Sequence, residues 1–471
     1  MPSKPIWQWS AVETAAAIRG GDITAQEAVE AAIARMADCN EAVNAVTVDL
    51  SGDAQQAARR ADDVQQSGGV LGPLHGVPIT IKENVDQSGQ ATTNGIPAFA
   101  GMIAGEDSPV VANLRKAGAI IIGRTNTPEF SVRWFTNNPL RGLTKNPWNE
   151  AVTPGGSSGG AASAVALGIG AIAHGNDLGG SLRYPAYACG LATIKPSLGR
   201  IPAFNPTGAE ERPPSMQLMS GQGPLAREIR DVRLALSVMA QSDSRDPWWV
   251  PAPLDGPRRA APIRVAVTKD PAGFGCHGAV SAAIDQAADG LSDAGYAVTA
   301  IDPPHVAEIA ESWGNLLWTD TKIIMEDAMR EHGSDDLNQV ISDYIAAATI
   351  LDMPDYVRTL ADRTRLLRGW NTFMEDYPLV LAPVSQVPAF PQLEDLKGAE
   401  RVKQMLGEQS MLCGINLLGL PSAAVPTGLH DGAPMGVQII GPRFREDLCL
   451  DAAEAVERST GILTQQLWRR T

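Results

Sequence analysis

The chain has 471 residues, 44% of them hydrophobic and 19% charged, a balance that suits a globular protein with a sizeable core. Its formal net charge is −15 and no long basic run occurs, so it lacks the electrostatic footprint that phosphate backbones require, and nucleic acid is not expected as a ligand. Cys39, Cys189, Cys276, Cys413 and Cys449 are odd in number and scattered, with no C-x-x-C pair, which argues against a zinc site or a disulfide framework and for reduced thiols in a cytoplasmic protein.

The amino terminus, M-P-S-K-P-I-W-Q-W-S, lacks the apolar core of a signal peptide. Ser10 is placed to cap a helix through Ile18, and Thr24, with Glu27 at the capping-box position, opens another through Met36. A third helical pattern spans Asp53 to Gln66, so residues 1–70 read as an amino-terminal helical layer. Ile79 to Lys82 alternates as a strand, which puts Lys82 at a strand end, where α/β folds usually place their sites. Ser108 to Ala117 and Ala119 to Gly123 form an αβ unit, followed by a loop at Arg124 to Pro128. Phe130, Trp134 and Phe135 then bring aromatic bulk close to the motifs and are candidate pocket walls.

Ala151 to Asn176 contains no Asp, Glu, Lys or Arg, but only Ala161 to Ala173 is continuously small or apolar. A membrane span needs about 20 such residues, so a buried helix followed by a strand is expected instead. Further on come a strand at Leu191 to Lys195, a Pro- and Gly-rich excursion from Pro196 to Pro224, and a helix at Leu225 to Met239. Asp243 to Pro262 reads as a surface crossover. Strand Ile263 to Val267, helix Ala279 to Ala294 and strand Ala297 to Ile301 repeat the alternation that implies parallel strands with covering helices. Val306 to Met374 is mainly helical, with breaks near Gly333 and Asp352 to Pro354. The carboxyl end contributes strand Leu379 to Ala382, helix Ala399 to Cys413, strands Ser422 to Val425 and Gly436 to Ile440, and a helix from Asp447 to Arg458.

Two glycine-flanked serine sites stand out: Gly155-Gly156-Ser157-Ser158-Gly159-Gly160 and Asp177-Leu178-Gly179-Gly180-Ser181. Glycines on both sides of a hydroxyl let the backbone approach a ligand closely and turn its N–H groups inward, as oxyanion binding requires. A P-loop would need G-x-x-x-x-G-K-[ST], and no such lysine follows Gly160, so phosphate binding is disfavoured. Read with Gly76-Val77-Pro78-Ile79-Thr80-Ile81-Lys82-Glu83, the three segments resemble, in order and spacing, the amidase signature family of serine hydrolases. Gly123 to Phe130, Lys195 to Arg200, Gly223 to Arg227, Gly419 to Pro426 and Pro434 to Gly441 also look like family segments, so the resemblance covers most of the chain from Ile23 onward.

The resemblance implies one large α/β unit, residues 1–471, with a mixed central β-sheet covered by helices on both faces, and it places the catalytic core at 72–200. It also implies Ser181 as nucleophile, Ser157 as relay behind a cis Gly156-Ser157 bond, and Lys82 as base, with no histidine required. Ser158, Asp177 and Arg183 fall on supporting positions, and the backbone N–H groups of Leu178, Gly179, Gly180 and Ser181 on the oxyanion site. For the lysine amine to be neutral near neutrality, its ordinary pKa of about 10.4 must fall to roughly 7, a difference of about 4 kcal/mol that burial among Ile79, Ile81 and the apolar helix would supply. His75 and His174, and Trp313 and Trp318, read as ordinary structural residues. Asn176 stands where the family often has threonine, and Glu83 where it often has aspartate.

The function implied is cofactor-independent and metal-free hydrolysis of a small-molecule amide by water through a seryl acyl-enzyme, a route equally open to esters, carbamates and hydrazides. The aromatic residues tilt the expectation to a hydrophobic or aryl-bearing substrate, with 306–374 as the variable pocket region. No membrane partner is expected and a homodimer is left open. Two other readings remain: a glutamine-hydrolysing component of a tRNA-dependent amidotransferase, and a non-catalytic binding protein on the same fold.

Overall fold

A computed structural model describes residues 4–208 and 210–470; the first three residues of the expected helical layer therefore lie outside it. Its centre is a mixed sheet of eleven strands. In chain order these are β1 (Val46–Asp49), β2 (Pro78–Lys82), β3 (Ile120–Thr125), β4 (Ile172–Asp177), β5 (Ala192–Lys195), β6 (Gly221–Ala226), β7 (Arg264–Val267), β8 (Ala297–Ala300), β9 (Leu379–Pro383), β10 (Ser422–His430) and β11 (Ala433–Ile440). Their spatial order is β1-β3-β2-β4-β6-β5-β10-β11-β9-β7-β8. β2 pairs parallel with both β3 and β4, and β7 with both β8 and β9, while β6, β5, β10 and β11 make an antiparallel centre.

Every residue of β2, β3 and β5 is buried, which requires cover on both faces. The period of two then divides the strand residues between two cores. Ile79, Ile81 and Ile121 belong to one apolar cluster, and Ile120, Ile122 and Ala173 to the other. The second cluster contains the helix Gly159–Leu167, whose residues are all buried, which explains why this segment carries no charge. Lys82 is in step with Thr80 rather than Ile81, and so projects on the side of that helix.

Both amino-terminal capping boxes form, Ser10 with Glu13 and Thr24 with Glu27. The second helix runs on to Val43, beyond the expected end at Met36, because Asn44 supplies the left-handed residue that closes it. The strand β3 continues through Arg124 and Thr125, where a loop was expected. The larger corrections are β1 and β6. Gly221-Gln222-Gly223-Pro224 reads as a turn because Gly and Pro are depleted in strands, yet it lies between β4 and β5. A Cβ on Gly223 would sit 2.5 Å from the Ile194 carbonyl oxygen, so close strand approach demands glycine there. With β6 taking Leu225 and Ala226, the following helix is shortened to Ile229–Met239. Likewise the expected helix at Ala399 to Cys413 divides at Gln409 into Ala399–Glu408 and Ser410–Leu418. No helix among the described residues is long and apolar enough to cross a membrane.

A buried ion pair fixes one wall of the molecule. Arg133 donates from Nε and Nη2 to the Asp395 carboxylate at 2.7 and 2.8 Å, with both side chains fully buried. Removing one partner strands the other charge in a dry interior. Asp395→Ala should therefore cost about 3–5 kcal/mol, read as a lowered thermal midpoint against wild type.

Candidate active site

The parallel strands β2 and β4 end side by side, and their last residues, Lys82 and Asp177, are both buried. Lys82 Nζ lies 2.7 Å from Ser157 Oγ, 3.2 Å from Ser158 Oγ and 2.7 Å from Asn176 Oδ1. The Gly156-Ser157 peptide is cis, as the resemblance implied. Burial pushes the Lys82 pKa well below the lysine range, and the charge of Asp177 opposes this without reversing it. A neutral amine has two N–H groups and one lone pair, and three partners match that count. The amide oxygen of Asn176 can only accept, and Ser158 Oγ takes a second N–H, so in the deprotonated amine the lone pair would be left for the Ser157 hydroxyl, whereas the ammonium would donate to all three.

Asn176 is a site residue that spacing alone did not assign. Its Nδ2 donates to Asn84 Oδ1 at 3.0 Å, and Asn84 Nδ2 donates to Ser131 Oγ at 3.0 Å. The amine is thus tied through two amides to the turn carrying Ser131. The only sequence signal was the departure from threonine at position 176. Glu83 turns away from the amine: it pairs with Arg141 and accepts from Thr47 and Thr93.

The loop after β4 is organised by one carboxylate. Asp177 accepts from Gly180 N at 2.7 Å and Leu182 N at 3.2 Å, and from Arg183 Nε and Nη2 at 3.0 and 3.1 Å. Burial alone would raise its pKa, but the Arg183 charge and hydrogen bonds hold it at about 2. On the other side of the loop, Trp313 Nε1 donates to the Leu178 carbonyl at 3.0 Å and Trp134 Nε1 to that of Gly179 at 2.8 Å. Gly180 has φ +99°, and a Cβ there would meet Leu412 at 2.0 Å, so the turn admits no side chain. Of the four expected oxyanion donors, Gly180 N–H is already engaged by Asp177, while those of Leu178, Gly179 and Ser181 have no protein partner among the described residues.

Ser181 is 8% exposed and lines a cleft walled by Trp134, Trp313, Trp318 and Tyr344. Its hydroxyl makes no hydrogen bond to Ser157 in this resting arrangement, a contact that tightens in hydrolases when substrate is seated. Of the three aromatic residues expected as pocket walls, Trp134 lines the cavity and Phe130 and Phe135 do not. Phe135 is fully buried against Phe390, and Phe130 packs with Phe99 around Met329 and Leu337. Closeness in sequence did not indicate which way each ring faces. Conversely, Trp313 and Trp318 were expected to be plain structural residues and both line the cavity.

The histidines stay structural. His174 Nε2 pairs with Gln222 Oε1, with burial lowering its pKa to about 4, and His75 Nε2 pairs with the Ala61 carbonyl. A larger polar groove, lined by Asp53, Arg60 and Arg115, contains none of the expected site residues. No cluster of three or more His, Cys, Asp or Glu side chains placed to hold a metal occurs among the described residues.

A model of the family described as Amidase matches residues 27–450. The chain belongs to the amidase family. This amidase is 53% identical over 468 residues to an indoleacetamide hydrolase of Bradyrhizobium diazoefficiens, covering 99% of this chain and 89% of that one. It is 31% identical to a glutamyl-tRNA(Gln) amidotransferase subunit of Chloroflexus aurantiacus, covering 96% of each chain. Among solved structures, a bacterial aryl acylamidase of the amidase signature family superposes with a TM-score of 0.86 at 27% identity, covering 98% of each chain. The protein is an amide hydrolase acting on carbon–nitrogen bonds.

If the dry amine of Lys82 controls the reactivity of the serines, fluorophosphonate labelling of Ser181 should rise with pH as the ammonium deprotonates. It should level off well below pH 10.5, and Lys82→Met should remove that pH dependence and slow labelling at least about 100-fold. Rates from stopped labelling reactions across pH check both.

Proposed function

We propose that this amidase hydrolyses primary amides of arylacetic acids, with Ser181 as nucleophile, Ser157 as relay and Lys82 as base. The observation that carries the substrate class is the aromatic cavity on which Ser181 opens. Flat aromatic faces on several sides of it favour a planar ring. The strong likeness to an indoleacetamide hydrolase supports an aryl group joined to the amide through one methylene.

In the proposed cycle Ser181 Oγ attacks the amide carbon and passes its proton to Ser157 Oγ, which gives its own to neutral Lys82. The carbonyl π pair moves onto oxygen, where the N–H groups of Leu178, Gly179 and Ser181 receive the charge. Collapse of the tetrahedral adduct breaks the C–N bond, and the proton returns through Ser157 so that ammonia leaves. Water then attacks the ester by the same proton route and releases the acid and Ser181. Asp177 and Arg183 take no proton in this scheme. They keep the loop N–H groups aimed while their charges cancel.

Segment 306–374 serves in this reading as the specificity wall, since Trp313, Trp318 and Tyr344 all come from it. The amidotransferase reading is disfavoured by the same wall: glutamine is zwitterionic, and Arg133, the one cation lining the cavity among the described residues, is already neutralised by Asp395.

Turnover of arylacetamides, alkyl amides and glutamine separates these readings. Arylacetamides should be hydrolysed with the highest kcat/KM, and Ser181→Ala should lose about 10⁴-fold or more in kcat without losing the fold. Glutamine outrunning every aryl amide, or a Ser181→Ala variant with full turnover, would overturn the proposal.

A further inference from the structure

The cavity wall contains a polar spot that the proposed chemistry does not use. Helix Val306–Asp320 is continued by a five-residue π-helical turn, Thr321–Met325, before helix Glu326–His332. Such single turns are uncommon and favour functional sites. Thr321 begins this turn and lines the cavity with Trp318. Thr321 is 1% exposed, yet its Oγ1 has no hydrogen-bond partner. A helical threonine ordinarily donates to the carbonyl one turn back, and this one does not. Trp318 Nε1 is buried and unpartnered as well, although the ring itself is fixed by stacking on Tyr344 at 4.6 Å between centroids.

Leaving a buried polar atom unpaired costs about 1–3 kcal/mol, so the unpaired Thr321 Oγ1 on a substrate cavity points to a ligand group that pairs with it. Arg133 Nη1 is a third unpaired atom on the same wall. Nη1 and the indole nitrogen can only donate, whereas Thr321 Oγ1 can accept. Along the helical run, Thr321 lies beyond Trp313, which holds the Leu178 carbonyl, by roughly 12 Å at about 1.5 Å per residue. It is therefore set back from the loop where the amide would sit, on the part of the wall that an aryl ring would reach.

We infer that Thr321 is a specificity residue whose Oγ1 accepts a hydrogen bond from a ring N–H of the aryl group, so that the cavity selects N–H heteroaromatic acetamides over isosteric rings without that donor. The inference rests on the arylacetamide reading and sharpens it. A site built around a hydrogen bond rejects an analogue lacking it because its own buried group is then left unpaired.

The test compares indole-3-acetamide with benzothiophene-3-acetamide, which keeps the bicyclic shape and replaces N–H by sulfur, on wild type, Thr321→Val and Thr321→Ser. Wild type should favour the N–H ring by about tenfold or more in kcat/KM, Thr321→Val should abolish that ratio while keeping turnover of the sulfur analogue, and Thr321→Ser should restore it. Equal rates for the two rings in wild type, or an unchanged ratio in Thr321→Val, would overturn the inference and leave the arylacetamide reading standing. Failure of both rings to react in wild type would instead sink that reading, and with it this one.

Discussion

A single amine held out of water sets the terms for the rest of this molecule. Lys82 Nζ is surrounded by the oxygens of Ser157, Ser158 and Asn176, and its burial pushes its pKa well below the lysine range. Losing its proton would turn this cation into a group with a lone pair, which the partner set would leave for one hydroxyl. The architecture follows from the need to keep it dry: two parallel strands ending together, a helix of small residues closing over them, and a mixed sheet with a core on each face.

Charge is also present next to this amine, in a form that does not interfere with it. Asp177 and Arg183 are fully buried, and either alone would be costly. As a pair with further bonds to Gln438, Asn416 and the Leu412 carbonyl, they become a rigid bracket. The Asp177 charge favours protonated Lys82, opposing the larger effect of burial. Arg183 pairs with the same carboxylate, which also orients the loop N–H groups of Gly180 and Leu182.

The aromatic wall connects this loop to the cavity. Trp134 and Trp313 do two things at once: their indole N–H groups pin the carbonyls of Gly179 and Leu178, and their ring surfaces shape the cavity. A change in the wall is then transmitted to the loop that carries Ser181. Arg133 lines the same cavity while it is locked to Asp395, so stability and pocket shape are coupled there as well.

Local chemistry was legible in the sequence wherever a residue's role depends on its neighbours along the chain. Capping boxes, alternating β-branched runs and the uncharged glycine-serine stretch predicted most helices and strands, and motif order predicted that Lys82, Ser157 and Ser181 belong to one region. What only the tertiary structure decided is what depends on facing and on close approach. Gly221 to Pro224 is a strand paired with β4, and at Gly223 the neighbouring backbone comes too near for a side chain, a distance that no local pattern encodes. Trp134 reaches the cavity and Phe135 does not, although they are adjacent. Trp313, Trp318 and Thr321 reach it from more than a hundred residues beyond Ser181, since a pocket wall is made where separate segments pack, and packing of distant segments leaves no periodicity in either one.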